Sequence, residues 1–138
     1  MSHFTHIETR FRNLFYLEKV LNKLDIAHTR QKKMTKIGDS KSYDIDINLR
    51  ISQSNGYDIE FCWNGKEYEL VADTSFWEQR DSISGFINNI AKQYAGEVII
   101  GESQKTGFQP IKYQQNEDGS NTVVLQRWNE KKSLMGAN

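Results

Sequence analysis

Residues 43–73 constrain this chain more than any other stretch. Tyr43, Ile45, Ile47, Leu49 and Ile51 alternate with Asp44, Asp46, Asn48 and Arg50. After a Ser54-Asn55-Gly56 turn, Tyr57, Ile59, Phe61 and Trp63 alternate with Asp58, Glu60 and Cys62. Asn64-Gly65 follows, and then Tyr68, Leu70 and Ala72 set against Glu67, Glu69 and Asp73. Successive side chains of a strand point to opposite faces, so each run has one apolar and one polar side. Asn-Gly between two such runs is a strong hairpin signal. The three runs predict an antiparallel meander with one apolar face and one acidic face, and the apolar face has to be covered by something.

Two helical patterns can supply the cover. Asn13 suits an N-cap. Behind it Leu14, Leu17, Leu21 and Leu24 recur at helical spacing, with Phe15 and Val20 widening the stripe. A second helix starts behind Ser82, with Ile83, Phe86, Ile87, Ile90 and Tyr94 as its stripe. Gly96 suits the left-handed residue that ends a helix, while residues 97–100 read either as a strand or as the helix running on. Residues 3–9 read as a short strand anchored by Phe4 and Ile7, and residues 28–36 as a polar edge strand ending at a Gly38-Asp39-Ser40 turn. Phe108 to Gln114 and Thr122 to Trp128 flank an Asp118-Gly119 step and make a last hairpin. The fold class is α+β, with a mostly antiparallel sheet, the order β-α-β-β-β-β-α-β-β, and both helices packed on one face. Residues 1–128 form a single domain in this reading, and residues 129–138 a flexible tail.

Composition narrows the classes of function. The formal net charge of the 138 residues is zero, which argues against a globally basic nucleic-acid binder. The balance hides an asymmetry. Residues 1–41 hold nine basic and four acidic side chains, whereas residues 42–81 hold three basic and nine acidic. The single cysteine, Cys62, excludes an internal disulfide and fits a reducing compartment. No apolar run reaches the roughly 18 residues of a spanning helix, and the opening residues lack the features of a secretory signal.

Each candidate for chemistry has a plainer reading beside it. His3 and His6, on a strand, point to opposite faces and cannot share a metal, and His28 adds no ligand set. The acidic face carries Asp44, Asp46, Asp58, Glu60, Glu67, Glu69 and Asp73. Such carboxylates bind divalent cations or serve as acid and base, but an open sheet face does not desolvate them, and a solvated face explains them equally. Arg30, Lys32, Lys33, Lys36 and Lys41 suit phosphate binding, or cross-strand ion pairing with the adjoining acidic strand. Carboxylates near Cys62 raise its pKa, the wrong direction for a nucleophile. Phe76, Trp77 and Trp128 either cap the core or anchor a partner. Residues 101–107 lack the Lys-Ser/Thr ending of a phosphate loop.

A resemblance emerges from motifs in order along the chain. They are Met1-Ser2-His3-Phe4 with Ile7, Gly56-Tyr57-Asp58-Ile59, Tyr68-Glu69-Leu70-Val71-Ala72-Asp73, Gln93-Tyr94-Ala95, Gln104-Lys105 and Gly107-Phe108. Together they resemble the Ycf family numbered thirty-five, hypothetical chloroplast reading frames of cyanobacteria and plastids, from residue 1 to about Trp128. The resemblance implies a plastid stroma or a cyanobacterial cytoplasm. It brings no catalytic or binding residues.

The sequence therefore points to a small non-enzymatic, protein-binding or assembly-accessory domain, with no catalytic residue, cofactor or metal assigned. Its partner surface is expected at Asp58, Glu60, Glu67, Glu69, Phe76 and Trp77. The alternative is nucleic-acid binding through Arg30, Lys32, Lys33 and Lys36, and a third reading is an enzyme using carboxylates at the sheet edge.

Overall fold

The computed structural model describes residues 4–39, 41–118 and 120–127. His3, Ser40, Gly119, Trp128 and the tail expected from residue 129 lie outside the described residues. The elements are β1 (Phe4–Phe11), α1 (Leu14–Lys23), β2 (Thr29–Lys36), β3 (Tyr43–Ile51), β4 (Ile59–Trp63), β5 (Tyr68–Asp73), a 3-10 turn at Thr74–Phe76, α2 (Ile83–Lys105), β6 (Phe108–Gln115) and β7 (Asn121–Arg127). This is the order read from the sequence. The chain divides into two compact units, Met1–Ala91 and Lys92–Asn138, with α2 beginning in the first and ending in the second.

The first unit holds a five-stranded antiparallel sheet in the order β1-β5-β4-β3-β2. Its register lines up Ile7, Leu70, Phe61 and Leu49 across four strands, and Leu49, Phe61 and Leu70 are fully buried. Ile59 opposite Ile51 extends the same apolar face. The β2–β3 ladder is longer than the β3–β4 ladder. It runs from Thr29 opposite Arg50 to Lys36 opposite Tyr43, whereas β4 pairs with β3 only over Leu49–Ile51.

Asn13 starts α1 as expected, its side-chain oxygen accepting from the Tyr16 N–H at 3.2 Å. Tyr16, Leu17, Val20 and Leu21 are buried. At about 100° per residue these four share one stripe and Phe15 falls opposite them. Phe15 is accordingly 68% exposed, with the Lys19 ammonium over its ring, so Tyr16 rather than Phe15 widens the apolar face. Full burial of a leucine such as Leu17 or Leu21 contributes about 1.5–3 kcal/mol. Ser82 starts α2: its hydroxyl accepts from the Gly85 N–H and its carbonyl from the Phe86 N–H. Both helices serve the same sheet face. Glu18 of α1 reaches Arg30, the register partner of Leu49, while Ile83 and Ile87 of α2 share a shallow depression with Ile7, the register partner of Leu70.

A bulge interrupts β1 between Glu8 and Phe11, and Arg10 within it adopts φ 76°. Thr9 repairs the ladder from inside the core. Its hydroxyl donates to the Tyr68 carbonyl and accepts from the Phe11 N–H. Thr9→Val keeps the shape and removes both of these buried hydrogen bonds, so urea unfolding should show a loss of about 1–3 kcal/mol, which Thr9→Ser should largely avoid.

In the second unit the sequence reading needs one correction. Gly96 does not end α2; the helix runs on through residues 97–100 to Lys105, and Gly107, with φ 90°, is the left-handed residue that follows. Gly96 is there for closeness instead. A Cβ at that position would lie 2.5 Å from Tyr113 Oη and 2.8 Å from its Cε2. The Tyr113 hydroxyl donates to Asn121 Oδ1, and the Asn121 amide donates to the Lys92 carbonyl, which ties the β6–β7 hairpin to this helix. Gly to Ala within a helix normally adds about 1 kcal/mol. Here Gly96→Ala should bring no such gain, and should become stabilising in a Tyr113→Ala background; thermal melts of the double-mutant cycle measure the difference.

Candidate functional site

The polar face of the meander is less open than its acid count suggests. Alternation puts Arg50 among the carboxylates, and its guanidinium Nη2 lies 3.1 Å from Glu60 Oε1, with Nε 4.0 Å from Asp58 Oδ2. Asp58 also accepts from the Gln53 N–H. Glu69 lies 3.8 Å from His6 Nδ1. Glu67 is not on this face at all: it belongs to the β4–β5 turn, is buried, and its N–H donates to Asn64 Oδ1. The four expected carboxylates are thus divided between local partners and a turn. Arg50, which offsets two of them, is the residue the sequence reading passed over.

Phe76 and Trp77 separate as well. Trp77 donates its indole N–H to the Asp81 carbonyl at 2.7 Å and sets its ring edge-on to the buried Phe86, capping the core. Phe76 stacks at the surface on Tyr57, centroids 3.8 Å apart and planes within 4°. Gln53 and Asn55 hold the arrangement, both side-chain amides donating to the Phe76 carbonyl.

The basic strand also splits. Arg30 is committed to α1, with Nη2 2.6 Å and Nε 2.7 Å from Glu18 Oε1, and the Glu18 carboxylate holds its guanidinium more firmly protonated than usual. His28, whose side chain is nearly buried, faces the other oxygen of Glu18 at 3.4 Å. Lys32 and Lys36 stand opposite Ile47 and Tyr43, on the apolar side of the sheet, and Lys33 stands opposite Asp46 on the other side. The expected pairing of the basic run with the acidic strand therefore comes down, by register, to Lys33 with Asp46.

The surface that the sequence reading missed lies at the end of this ribbon. Beyond Ile47 no third strand continues the sheet alongside β3 among the described residues. Met34, Tyr43 and Ile45, read from alternation as core-facing or neutral, are 59%, 51% and 57% exposed. They share one face with Lys32 and Lys36, since Met34 is opposite Ile45 and Lys36 opposite Tyr43. Ile37, beside them at the turn, is exposed too. No carboxylate stands on that face between Lys32 and Tyr43; Asp44 and Asp46 are on the reverse.

A depression of about 280 Å³ near Leu24, Ile26, Arg80, Asp81 and Phe86 contains no nucleophile with a base beside it. Among the described residues no three His, Cys, Asp or Glu gather as a metal site, and no helix is long and apolar enough to cross a membrane.

Comparison with known proteins shows the family. The family described as "Protein of unknown function (DUF1257)" matches residues 20–124. A Trieres chinensis protein named "Uncharacterized protein ycf35" is 84% identical over 125 residues, which cover 91% of this chain and 97% of that protein. The chain belongs to the Ycf35 family. A Guillardia theta Ycf35 protein is 40% identical, covering 93% of this chain and 98% of its own, and one from Cyanophora paradoxa is 34% identical over 93% and 98%. No solved structure matches.

Cys62 gives this Ycf35 chain a chemical handle. Burial, and then the Glu60 carboxylate 3.9 Å from its sulfur, push the thiol pKa up to about 11. At pH 8 roughly one thiol in a thousand would be ionised. Iodoacetamide should therefore react slowly at pH 8 and accelerate towards pH 11, with Glu60→Gln moving the profile to lower pH. The folded state keeps this proton longer than the unfolded chain, so stability falls as pH rises between about 9 and about 11.

Proposed function

We propose that this Ycf35 chain is a non-enzymatic module that binds a protein partner through the exposed face of the β2–β3 ribbon. One observation carries the reading: Met34, Tyr43 and Ile45 are exposed together on one face of a ribbon that has outrun its sheet. Solvent-exposed apolar groups gathered in this way mark interaction surfaces more often than scattered ones do. The acidic face gives weaker support, because Arg50 and His6 already engage Asp58, Glu60 and Glu69. The Phe76–Tyr57 stack is a second exposed apolar feature, beyond the Ile51 end of β3 and so apart from Tyr43 and Ile45.

Nucleic-acid binding through the basic strand is the lesser reading. Of its four cations Arg30 is engaged by Glu18, and Asp44 and Asp46 on the reverse face would meet a phosphate wall if the ribbon entered a groove. The family membership supports a plastid origin; work in the stroma, or in the cytoplasm of a cyanobacterium, completes the proposal.

Affinity capture from the native compartment tests it with three baits. The wild-type chain should retain a protein that Ile45→Glu loses by about tenfold or more, a cost of roughly 1.4 kcal/mol. Asp58→Asn with Glu60→Gln should retain it. Ile45 is exposed, so its replacement should leave the melting temperature nearly unchanged. Capture that survives Ile45→Glu and is lost with the acidic-face variant would move the site to the carboxylates, and RNA or DNA retained at low salt would replace the partner class.

A further inference from the structure

β2 is the last strand of the sheet, and among the described residues no strand pairs with its outer edge. Every residue from Thr29 to Lys36 is exposed except Gln31, which is half-buried. An edge of this kind leaves alternate N–H and C=O groups without a ladder partner, a template for one more strand. Lysines on an edge ordinarily discourage such pairing. Here they do so selectively. The midpoint of β2 falls between Lys32 and Lys33. Two copies related by a two-fold axis across that edge would bring these lysines face to face, and like charges directly opposite destabilise a pair. Joining the β2 edge of one copy to the β1 edge of another would be head-to-tail, giving a ring or an open filament rather than a simple pair. The charge that repels a second copy attracts an acidic strand.

We infer that the outer edge of β2 accepts an extended acidic segment of another protein as a sixth strand of the sheet. The inference rests on the protein-binding reading above and gives it a mode. The register also specifies the segment. Side chains of an added antiparallel strand stand opposite Lys36, Thr35, Met34, Lys33 and Lys32 in turn. The matching sequence, read from N- to C-terminus, is Glu, any residue, Ile or Val, Glu, Glu. Its first and last acids meet Lys36 and Lys32 on the ribbon face, and its apolar residue meets Met34 beside Ile45. The remaining acid meets Lys33 on the reverse face. Main-chain bonds would supply affinity and the alternating side chains specificity, as in other strand-addition complexes.

Lys33 separates this mode from simple docking on the ribbon face, because it points away from that face. The probe is a blocked Thr-Glu-Thr-Ile-Glu-Glu-Thr peptide, with a control in which its three acids are lysines. Amide exchange of the labelled 138-residue chain is read by NMR. At saturating peptide, every second amide of Gln31–Lys36, the stretch the peptide lies against, should exchange about tenfold more slowly. The lysine control should protect none of them. Lys33→Glu should weaken peptide binding by about tenfold or more. Unchanged β2 amides overturn the inference, as does equal binding by Lys33→Glu. If β2 amides stay unprotected while Ile45→Glu still abolishes capture of the native partner, strand addition falls and the protein-binding reading stands. If capture ignores Ile45→Glu, the ribbon face is no longer the partner site and the proposal falls whatever the peptide does. Phosphatidylglycerol vesicles and duplex DNA are run alongside; either one bound through Lys32 and Lys36, with no alternate-amide protection from the peptide, replaces the acidic strand as occupant.

Discussion

The row Leu49–Phe61–Leu70 decides where everything else in the first unit can be. All three side chains are fully buried and lie side by side across β3, β4 and β5. A sheet face of this kind is unstable in water until something covers it. Leu17, Val20 and Leu21 of α1 and Phe86 and Ile90 of α2 are buried as its cover. The cover reaches only as far as the row does. β4 is five residues long and β3 nine, so the far half of β3 has β2 beside it and, among the described residues, no strand along its other edge. The exposed ribbon is a consequence of that mismatch in length.

The same mismatch organises the charge. A net charge of zero conceals a basic N-terminal third and an acidic middle. Where the sheet is complete, compensation is local: Arg50 serves Glu60 and Asp58, and Glu18 serves Arg30 and faces His28. Pairs with an exposed guanidinium, such as these of Arg30 and Arg50, contribute little stability. Their effect is on what remains available. Glu18 removes Arg30 from the basic strand, and Arg50 occupies the acids a partner would read. Lys32 and Lys36 remain, exposed, on the one face whose other occupants are apolar.

Strand positions were legible because alternation is a property of the backbone and needs no tertiary knowledge. That is why Tyr43–Ile51, Ile59–Trp63 and Tyr68–Asp73 could be read directly, and why Asn13 and Ser82 marked both helix starts. Alternation says which side a residue is on, not whether that side is covered at that point. Tyr43 and Ile45 have the same pattern as Leu49 and Ile51; the two pairs differ only in whether β4 and a helix lie nearby. Phe15 was misplaced because a phenylalanine beside a leucine stripe looks apolar enough to join it, although its angle faces away. Gly96 was read for its backbone freedom, when its use is the absence of a Cβ under Tyr113, a partner seventeen residues further on. Arg50 sat in plain view among acids, the signal being its register with Glu60.

A two-stranded ribbon is marginal by itself, because two strands bury too little to offset the ordering of their backbones. The segment beyond Ile47 holds its shape by continuity with the covered part of β3 and by its ladder to β2, which closes near the turn where the Ile37 N–H donates to the Ser42 carbonyl. Its apolar side chains stay about half exposed in the free chain, so burial stabilises them little. A third strand on the outer edge of β2 would change both terms at once. It would satisfy the open backbone groups and partly cover Met34, and it would neutralise lysines that otherwise repel one another along the edge. Among the described residues the outer edge of β2 stays folded and without a ladder partner, so a strand added there would bring both gains in one step.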